Sequence, residues 1–254
     1  MPVENLFYVD RATEMVASAR EKDITLRILG SLAYRLHCPA NIGFFEAMKR
    51  DLTDIDFAAK GEQRKEIREY LGNRGYVIDK DVMAITEGKR YAFTDSETGM
   101  NVDVFFDELF FCHQIPLRNR LDLDYPTITP TDLLLEKMQI VEINPKDIKD
   151  SLVLLLEHAI VRDTPDAIDP AYIARLLTAD WGFYYTFTTN LKRLEGEIAK
   201  AGFDSEAGGR ISGRIGELIQ VIDQTPKNTA WKLRAKIGTR IKWYQEVAEK
   251  AETF

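Results

Sequence analysis

The sequence predicts an α+β protein, in which a mixed β-sheet with flanking helices is followed by an all-helical C-terminal part. Up to about residue 127, short runs that alternate apolar and polar residues are interleaved with amphipathic helical patterns, as in a mixed sheet covered by helices. From residue 129 onward the pattern is helical throughout. We therefore divide the chain into a first domain over residues 1–127 and a helical domain over residues 128–254.

Each element of the first domain follows from a local pattern. Residues 10–22 are rich in Ala, Glu, Arg and Met and predict a leading helix. Residues 24–29 favour a strand that ends at Gly30-Ser31 and continues into a helix. Residues 61–72 place apolar side chains at helical spacing on a charged background, which predicts an amphipathic surface helix. Further alternating runs predict strands at 54–57, 76–78, 90–93 and 101–106.

The helical domain is predicted from its helix starts and its apolar stripes. Three starts share the same chemistry, a residue whose side chain caps the helix followed by proline at the first helical position. These starts are Thr129-Pro130, Asn144-Pro145 and Asp169-Pro170. The remaining predicted helices are 183–202, 211–224 and 229–251.

Composition limits the classes of protein that this chain can belong to. It has 254 residues with 45% hydrophobic content, enough to bury a sizeable core in one or two domains. A formal charge of −7 and a pI near 5.2 argue against sequence-independent nucleic-acid binding as its main work, since that affinity depends on neutralising phosphates. The chain has two cysteines, no N-terminal signal pattern and no apolar run of membrane-spanning length. We therefore expect a cytoplasmic protein with no membrane partner.

Two aspartates alternate with apolar residues in the run Thr-Asp-Ile-Asp-Phe. In a strand this spacing sends Ile55 and Phe57 into a core and projects Asp54 and Asp56 from the opposite face. Such neighbouring carboxylates repel unless a hard cation lies between them, and Mg²⁺ prefers oxygen ligands and substrate phosphates. A solvated strand face is the alternative interpretation. Phosphoryl or nucleotidyl transfer is the first functional hypothesis.

Two further features favour the same chemistry. Gly30-Ser31 joins a strand to a helix, where a glycine lets backbone approach a phosphate and the free N–H groups of the helix favour an anion. Asp103 projects from the alternating run 101–106 and would bring a third carboxylate if the two acidic strands are neighbours. Asp107 has the same strand parity and competes for this role, about 13 Å further along the strand.

At these residues the sequence resembles the nucleotidyltransferase superfamily, which includes DNA polymerase β-like, aminoglycoside and abortive-infection-type transferases. The resemblance covers roughly residues 24–150. In that family the acids bind two Mg²⁺ ions that activate an acceptor hydroxyl against the α-phosphate of an NTP, and the Gly-Ser turn holds the triphosphate. The matching residues are Gly30, Ser31, Asp54, Asp56 and Asp103.

The resemblance also bears on Lys137 and on the segment before Asp54. A lysine on the helix after the catalytic sheet commonly reaches the triphosphate in that family, which implies nucleotide binding by Lys137. The alternative is a lysine that extends to water from a buried helix. The 22 residues between Ser31 and Asp54 exceed the usual spacing of the family, so Cys38–Lys49 is expected to be an insertion.

The resemblance implies a metal-dependent enzyme that moves an NMP group from an NTP to an acceptor hydroxyl and releases pyrophosphate. Asp54 and Asp56 would hold both metal ions, and Asp103 would share one of them and accept the proton of the hydroxyl. An acidic chain favours a small acceptor. A tRNA end, as in toxin-type relatives, and a protein hydroxyl are the other acceptors. A regulatory module that binds nucleotide without catalysis is the alternative outside enzymes.

Two other groups of side chains have competing interpretations. His37-Cys38 and Cys112-His113 could form a zinc site, but their spacing is unlike that of structural zinc sites, and buried free thiols are the default. The last 45 residues hold nine Lys and Arg against five Asp and Glu, interleaved with aromatic residues. This basic helix is either a solvated face or a surface for an RNA acceptor. On a continuous helix, Lys232, Lys236 and Arg240 would line one face.

Overall fold

In a computed structural model, which describes residues 3–47 and 52–246, the first part of the chain forms a five-stranded mixed sheet. The strands lie in the order β1, β2, β5, β4, β3, where β1 is Leu26–Leu29, β2 is Asp54–Ala59, β3 is Tyr76–Ile78, β4 is Arg90–Asp95 and β5 is Asn101–Phe106. β2 and β5 run parallel, and the other neighbouring pairs are antiparallel. The predicted mixed sheet and its strands are confirmed.

Helices flank this sheet along the first half of the described chain. They are α1 Val3–Arg20, α2 Gly30–His37, α3 Ile42–Ala47, α4 Arg64–Gly72 and α5 Lys80–Ile85. The predicted helices at 10–22 and 61–72 are confirmed as α1 and α4, and α1 begins earlier than predicted. Neither α3 nor α5 was predicted, because six residues give too short a pattern to show a helical period.

A two-stranded hairpin that the sequence did not predict follows β5. Its strands are β6 Glu108–Phe110 and β7 Gln114–Pro116. Asp107 joins β5 to β6 with a φ of 63°, a left-handed conformation that turns the chain out of β5. The hairpin was missed because strands of three residues are too short to show alternation.

The C-terminal part of the described chain is helical, as predicted. Its helices are α6 Pro130–Met138, α7 Pro145–Glu157, α8 Pro170–Ala179, α9 Trp181–Glu197, α10 Ser205–Gln224 and α11 Thr229–Ile237. Thr129, Asn144 and Asp169 accept backbone N–H groups at the starts of α6, α7 and α8, so the three predicted capped starts are confirmed. None of the helices described combines the length and the apolar composition that a membrane span requires.

The predicted helix at 229–251 is wrong beyond Ile237. Gly238 follows α11 with a φ of 62°, which ends the helix, and residues 241–246 are not helical. Both Nη atoms of Arg234 donate to backbone carbonyl groups after the break, those of Gly238 and Ile241. Residues 247–251 of the predicted helix lie outside the described residues.

The two predicted domains share one buried apolar core. At their junction Ile28 of β1 donates to the carbonyl of Pro126 and accepts from the N–H of Ile128, so the chain runs beside the edge of the sheet. α2 packs against α6 and α7, and the Tyr34 hydroxyl donates to the carbonyl of Leu133 over 2.6 Å. Whether residues 1–127 and 128–254 act as separate domains stays a prediction.

The segment Cys38–Lys49, predicted as an insertion, contributes to this core where it is described. α3 packs against α7, and the fully buried Phe45 lies beneath the guanidinium of Arg35, at 5.2 Å from ring centre to carbon. Residues 48 and 49 lie outside the described residues. This segment therefore joins the strand-turn-helix β1–α2 to the helical half.

Candidate functional site

The two acidic strands are neighbours, and their register sets Asp56 directly beside Asp103. Asp54 lies two residues earlier on the same face and pairs with Asn101. Ile55 is fully buried on the other face, whereas both aspartates of β2 are half-buried. The parallel pairing of β2 with β5 thus gathers three carboxylates on one face of the sheet. We call these the carboxylate cluster.

Several acidic groups converge on Asp56. Burial raises the pKa of its carboxyl well above the usual value, and Asp54, Asp103 and Glu136 raise that pKa further by like-charge repulsion. Lys137 acts in the opposite direction as a weaker influence. The cluster is therefore a place where an added cation would be stabilised.

Arg90, which the sequence did not single out, supplies a cation to one side of the cluster. Its Nε donates to Asp103 Oδ1 over 3.0 Å and its Nη2 donates to Oδ2 over 2.6 Å, a bidentate pair. Arg90 lies on β4 two residues from Ala92, the cross-strand partner of Asp103, so the two charged side chains are diagonal neighbours on one face. The guanidinium fixes the orientation of the Asp103 carboxylate.

Gly30 brings the backbone of the β1–α2 turn against the carboxylate cluster. Its φ is 66°, and a Cβ atom at this position would lie 2.5 Å from Asp56 Oδ2. A side chain here would need both a strained backbone and a displaced aspartate, so only glycine fits. The Gly30 N–H donates to Glu136 Oε2 over 3.1 Å, and Ser31 is buried in the first turn of α2.

Lys137 lies in a network of charged groups under this turn. Its Nζ is 2.8 Å from Glu136 Oε1 and 3.3 Å from Asp147 Oδ1, and its side chain is only 14% exposed. Burial lowers the pKa of Lys137, but Glu136 and Asp147 raise it by more, and the net shift is upward. The alternative of a lysine extended to water is therefore wrong. Lys137 neutralises Glu136, which in turn holds Gly30.

Asp107 does not share the strand position that its parity suggested. β5 ends at Phe106, and the left-handed backbone of Asp107 directs its side chain toward Gly61, after β2, and Arg118, after β7. There Oδ1 accepts the N–H of Gly61 over 2.9 Å and lies 3.8 Å from Arg118 Nη1. The expectation that Asp103 and Asp107 lie on one strand is wrong, and Asp107 serves a turn.

The donor types of the carboxylate cluster fit a hard divalent cation. Within residues 3–47 and 52–246, no group of three or more His, Cys, Asp or Glu side chains is arranged to hold a metal ion as it stands. The cluster nevertheless offers only carboxylate oxygens, which Mg²⁺ prefers, and the like-charge repulsion at Asp56 would be relieved by a cation. Arg90 uses one acceptor position on each oxygen of Asp103, and a carboxylate has about four.

The two Cys-His pairs make unrelated contacts. His37 Nε2 forms a hydrogen bond of 2.7 Å with the Thr127 hydroxyl, whereas His113 Nε2 forms one of 2.9 Å with the Thr186 hydroxyl. Both cysteines are buried free thiols, and burial raises the pKa of each. The expected buried thiols are confirmed.

The basic residues near the C-terminus do not form the single face that a continuous helix would give. Lys232 and Lys236 lie on α11, but Arg240 follows the break at Gly238 in a short 3-10 turn. All three side chains are exposed. The expectation that they line one helical face is wrong because the left-handed glycine redirects the chain.

Comparison with known proteins gives no relative from which a function can be taken over. No family model matches the chain, and no curated protein matches its sequence. The similarity to the nucleotidyltransferase superfamily therefore remains a sequence-based expectation. Because one fold hosts many functions, the function has to be inferred from the side chains of the site.

Proposed function

We propose that this protein is a metal-dependent nucleotidyltransferase that moves an NMP group from an NTP to an acceptor hydroxyl and releases pyrophosphate. The register that sets Asp56 beside Asp103 supports this most, since it gathers carboxylates from two parallel strands at an accessible face. The close approach of Gly30 to Asp56 is the second support, since it brings a backbone turn suited to phosphate next to those acids.

In this proposal Asp54, Asp56 and Asp103 hold Mg²⁺. When bound, the metal supplies positive charge that stabilises the charge developing on the phosphate oxygens. Its presence also suits Asp56, whose ionised form is disfavoured by burial and by the neighbouring acids. Gly30 and Ser31 orient the triphosphate, and Lys137 supports their turn by pairing with Glu136, the acceptor of the Gly30 N–H.

Asp103 acts on the acceptor. A carboxylate oxygen of Asp103 accepts the proton of the acceptor hydroxyl, while that hydroxyl oxygen forms a bond to the α-phosphorus. The bond from the α-phosphorus to the pyrophosphate oxygen breaks, and pyrophosphate leaves with the electron pair. Arg90 keeps Asp103 oriented for this transfer, because it donates to both oxygens.

The acceptor is proposed to be a small molecule, because the net charge of −7 does not favour a polyanion. A tRNA end or a protein hydroxyl, as in toxin-type transferases, is the alternative. These acceptors differ in size and charge, so pools of small metabolites, RNA and protein separate them.

Labelled NTPs incubated with the full chain, Mg²⁺ and each acceptor pool test the proposal. Asp54→Asn and Asp56→Asn are each expected to lower transfer at least about 10³-fold, since loss of a metal ligand removes several kcal/mol of transition-state stabilisation. The melting temperature of the metal-free variants should not fall, because each change removes like-charge repulsion. Asp10→Asn, on an exposed part of α1, is the control and should behave as wild type. Wild-type turnover by either site variant would refute the proposal.

One observation favours a second candidate, a module that binds nucleotide without transferring it. Arg90 already neutralises Asp103, and such an internal cation can take the place of a metal charge. That module would bind NTP with unchanged affinity in the absence of Mg²⁺ and release no pyrophosphate with any acceptor pool. Calorimetry with and without Mg²⁺ distinguishes the two candidates.

A further inference from the structure

A cleft lined by aromatic side chains opens beside the carboxylate cluster, with a volume of about 390 Å³. It lies between the start of β4, the end of β5, the hairpin β6–β7 and the C-terminal segment. The N–H of Gln245 donates to the carbonyl of Cys112 over 3.1 Å and anchors that segment. We call this space the aromatic cleft and define it by Ile85, Arg90, Phe105, Phe110, Phe111 and Gln245.

Arg90 belongs to both the cleft and the carboxylate cluster. It is the cross-strand partner of Phe105, and its guanidinium carbon lies 5.4 Å from the centre of that ring. The same guanidinium donates to both carboxylate oxygens of Asp103. Arg90 therefore lies between the cleft and Asp103 and connects the two sites.

The walls of the cleft leave apolar surface open to solvent. Phe105 and Phe111 meet edge to face, with ring centres 5.4 Å apart. Phe110 is 42% exposed and Ile85 is 76% exposed, so neither is needed to fill the core. Single exposed apolar residues are ordinary, but here they converge on one concave site. The rest of its lining is polar and mostly charged: Thr86, Glu87, Lys89, Arg90, Glu108, Gln245 and Glu246. A concave site that combines aromatic surface with polar groups can bind and orient a small molecule.

The strand order places the cleft and Gly30 on opposite sides of the carboxylate cluster. Gly30 touches Asp56 from the β1 edge of the site, whereas the cleft lies beyond Asp103 at β4, on the opposite side. In phosphoryl transfer the attacking and leaving oxygens are roughly in line through the phosphorus. If the triphosphate leaves toward Gly30, the attacking hydroxyl enters from the cleft.

We propose that the aromatic cleft binds the acceptor, and that the acceptor is a small hydroxylated molecule with a planar aromatic or heteroaromatic ring. The role of this molecule as acceptor rests on the proposed function, whereas its binding in the cleft does not depend on catalysis. The volume is near the lower end of the about 300–1,000 Å³ of ligand pockets, enough for one or two rings. Phe105 is buried, so Phe110 and Phe111 supply the accessible aromatic surface that favours another ring, and Lys89 Nζ lies 5.2 Å from the centre of the Phe110 ring.

The probe for this proposal is tryptophol, a neutral indole that carries one primary alcohol. Titration of the full chain, followed by amide NMR without NTP or Mg²⁺, should give saturable shifts at Phe105, Phe110 and Phe111. Phe110→Ala should weaken tryptophol binding about tenfold, since it removes one aromatic wall. Phe7→Ala is the matched control, because Phe7 is also a half-exposed phenylalanine but lies on α1, and it should leave the affinity unchanged.

A second probe tests the need for an aromatic ring. Cyclohexylethanol has the same primary alcohol on a saturated ring and should bind at least about fivefold more weakly than tryptophol. Equal affinity of the two probes, or equal effects of Phe110→Ala and Phe7→Ala, would overturn the proposal. So would cleft shifts that a single-stranded RNA produces and tryptophol does not. Because binding is measured without NTP, the result for the cleft stays interpretable even if the protein shows no nucleotidyl transfer.

Discussion

Two groups of charged side chains in this protein differ in how their charge is balanced. In the carboxylate cluster of Asp54, Asp56 and Asp103, Arg90 pairs with Asp103, and Lys137 acts more weakly on Asp56. At the start of α6, the fully buried Asp132 alone faces Arg120, with Nε to Oδ1 at 2.5 Å. Both sites contain an aspartate whose burial raises its pKa.

The difference lies in what surrounds each buried aspartate. Arg120 and the Thr129 hydroxyl lower the pKa of Asp132, against the effect of burial, and Arg120 also lies 3.7 Å above the Tyr172 ring. The neighbours of Asp56 are mainly other acids, which add to the effect of burial. The Asp132–Arg120 pair is therefore balanced within the fold and serves its stability. The carboxylate cluster gathers more acids than the fold pairs with cations, an arrangement that a cation from solution would stabilise.

The largest expected effect separates Asp103 from Asp107. Asp103→Asn should lower kcat for nucleotidyl transfer about 10³-fold, because an amide cannot accept the proton of the acceptor. Asp107→Asn should change kcat less than about tenfold, since asparagine tolerates the left-handed backbone and Asp107 lies outside the cluster. Single-turnover rates with saturating NTP measure both. The reverse pattern would show that the excess charge of the cluster has no catalytic role.

A large effect on stability is expected in the balanced site. Asp132→Ala removes the fully buried carboxylate partner of the half-buried Arg120 and should lower the free energy of unfolding by about 3–5 kcal/mol. Asp122→Ala is the control, because Asp122 pairs with Lys60 over 2.8 Å but is 66% exposed, and it should cost less than about 1 kcal/mol. Urea unfolding measures both. Similar losses for the two variants would remove the distinction between a structural ion pair and a surface one.

Gly30→Ala sharpens the comparison at the edge of the carboxylate cluster. The new Cβ would lie 2.5 Å from Asp56 Oδ2, so overpacking should add about 1–3 kcal/mol to the cost of a positive φ. Gly202→Ala has a similar φ of 80° with no atom within 4 Å, so it measures the backbone cost alone. The comparison uses thermal or urea unfolding of the two variants. An equal loss in both would mean that Asp56 moves away freely and that the turn does not depend on it.

The sequence predicted the acids better than their surroundings. Alternation fixed which face Asp54, Asp56 and Asp103 occupy, because a slip of one residue would expose Ile55 and the other buried side chains of the strands. The side-by-side pairing of β2 and β5 depends on the path of the chain through α4, β3 and β4, which no local pattern contains. From the sequence, this pairing was only the condition under which Asp103 would join Asp54 and Asp56.

Arg90 and Glu136 were missed for the same physical reason. Arg90 has the strand parity opposite to the buried Tyr91 and Phe93, which was a usable signal, but its partner depends on the register of β4 with β5. Glu136 binds the N–H of Gly30 across a separation of 106 residues. Asp107 was misplaced because nothing in its neighbours indicates a left-handed backbone. Local pattern predicts faces, and tertiary contacts select partners.

The smallest expected effect tests the basic C-terminal residues, where a helix was predicted and a break at Gly238 was found. Replacing Lys232, Lys236 and Arg240 with Gln should leave NTP affinity unchanged and shift the free energy of unfolding by less than about 0.5 kcal/mol, because all three are exposed. For single-stranded RNA, three cations on one face would contribute about 2 to the slope of log affinity against log salt. Since the break separates Arg240 from α11 and leaves Lys232 and Lys236 together, we expect a change in slope of no more than about 1.4. A change near 2 would show that the three act together on RNA despite the break, and that charge here serves a ligand, as is proposed for the carboxylate cluster.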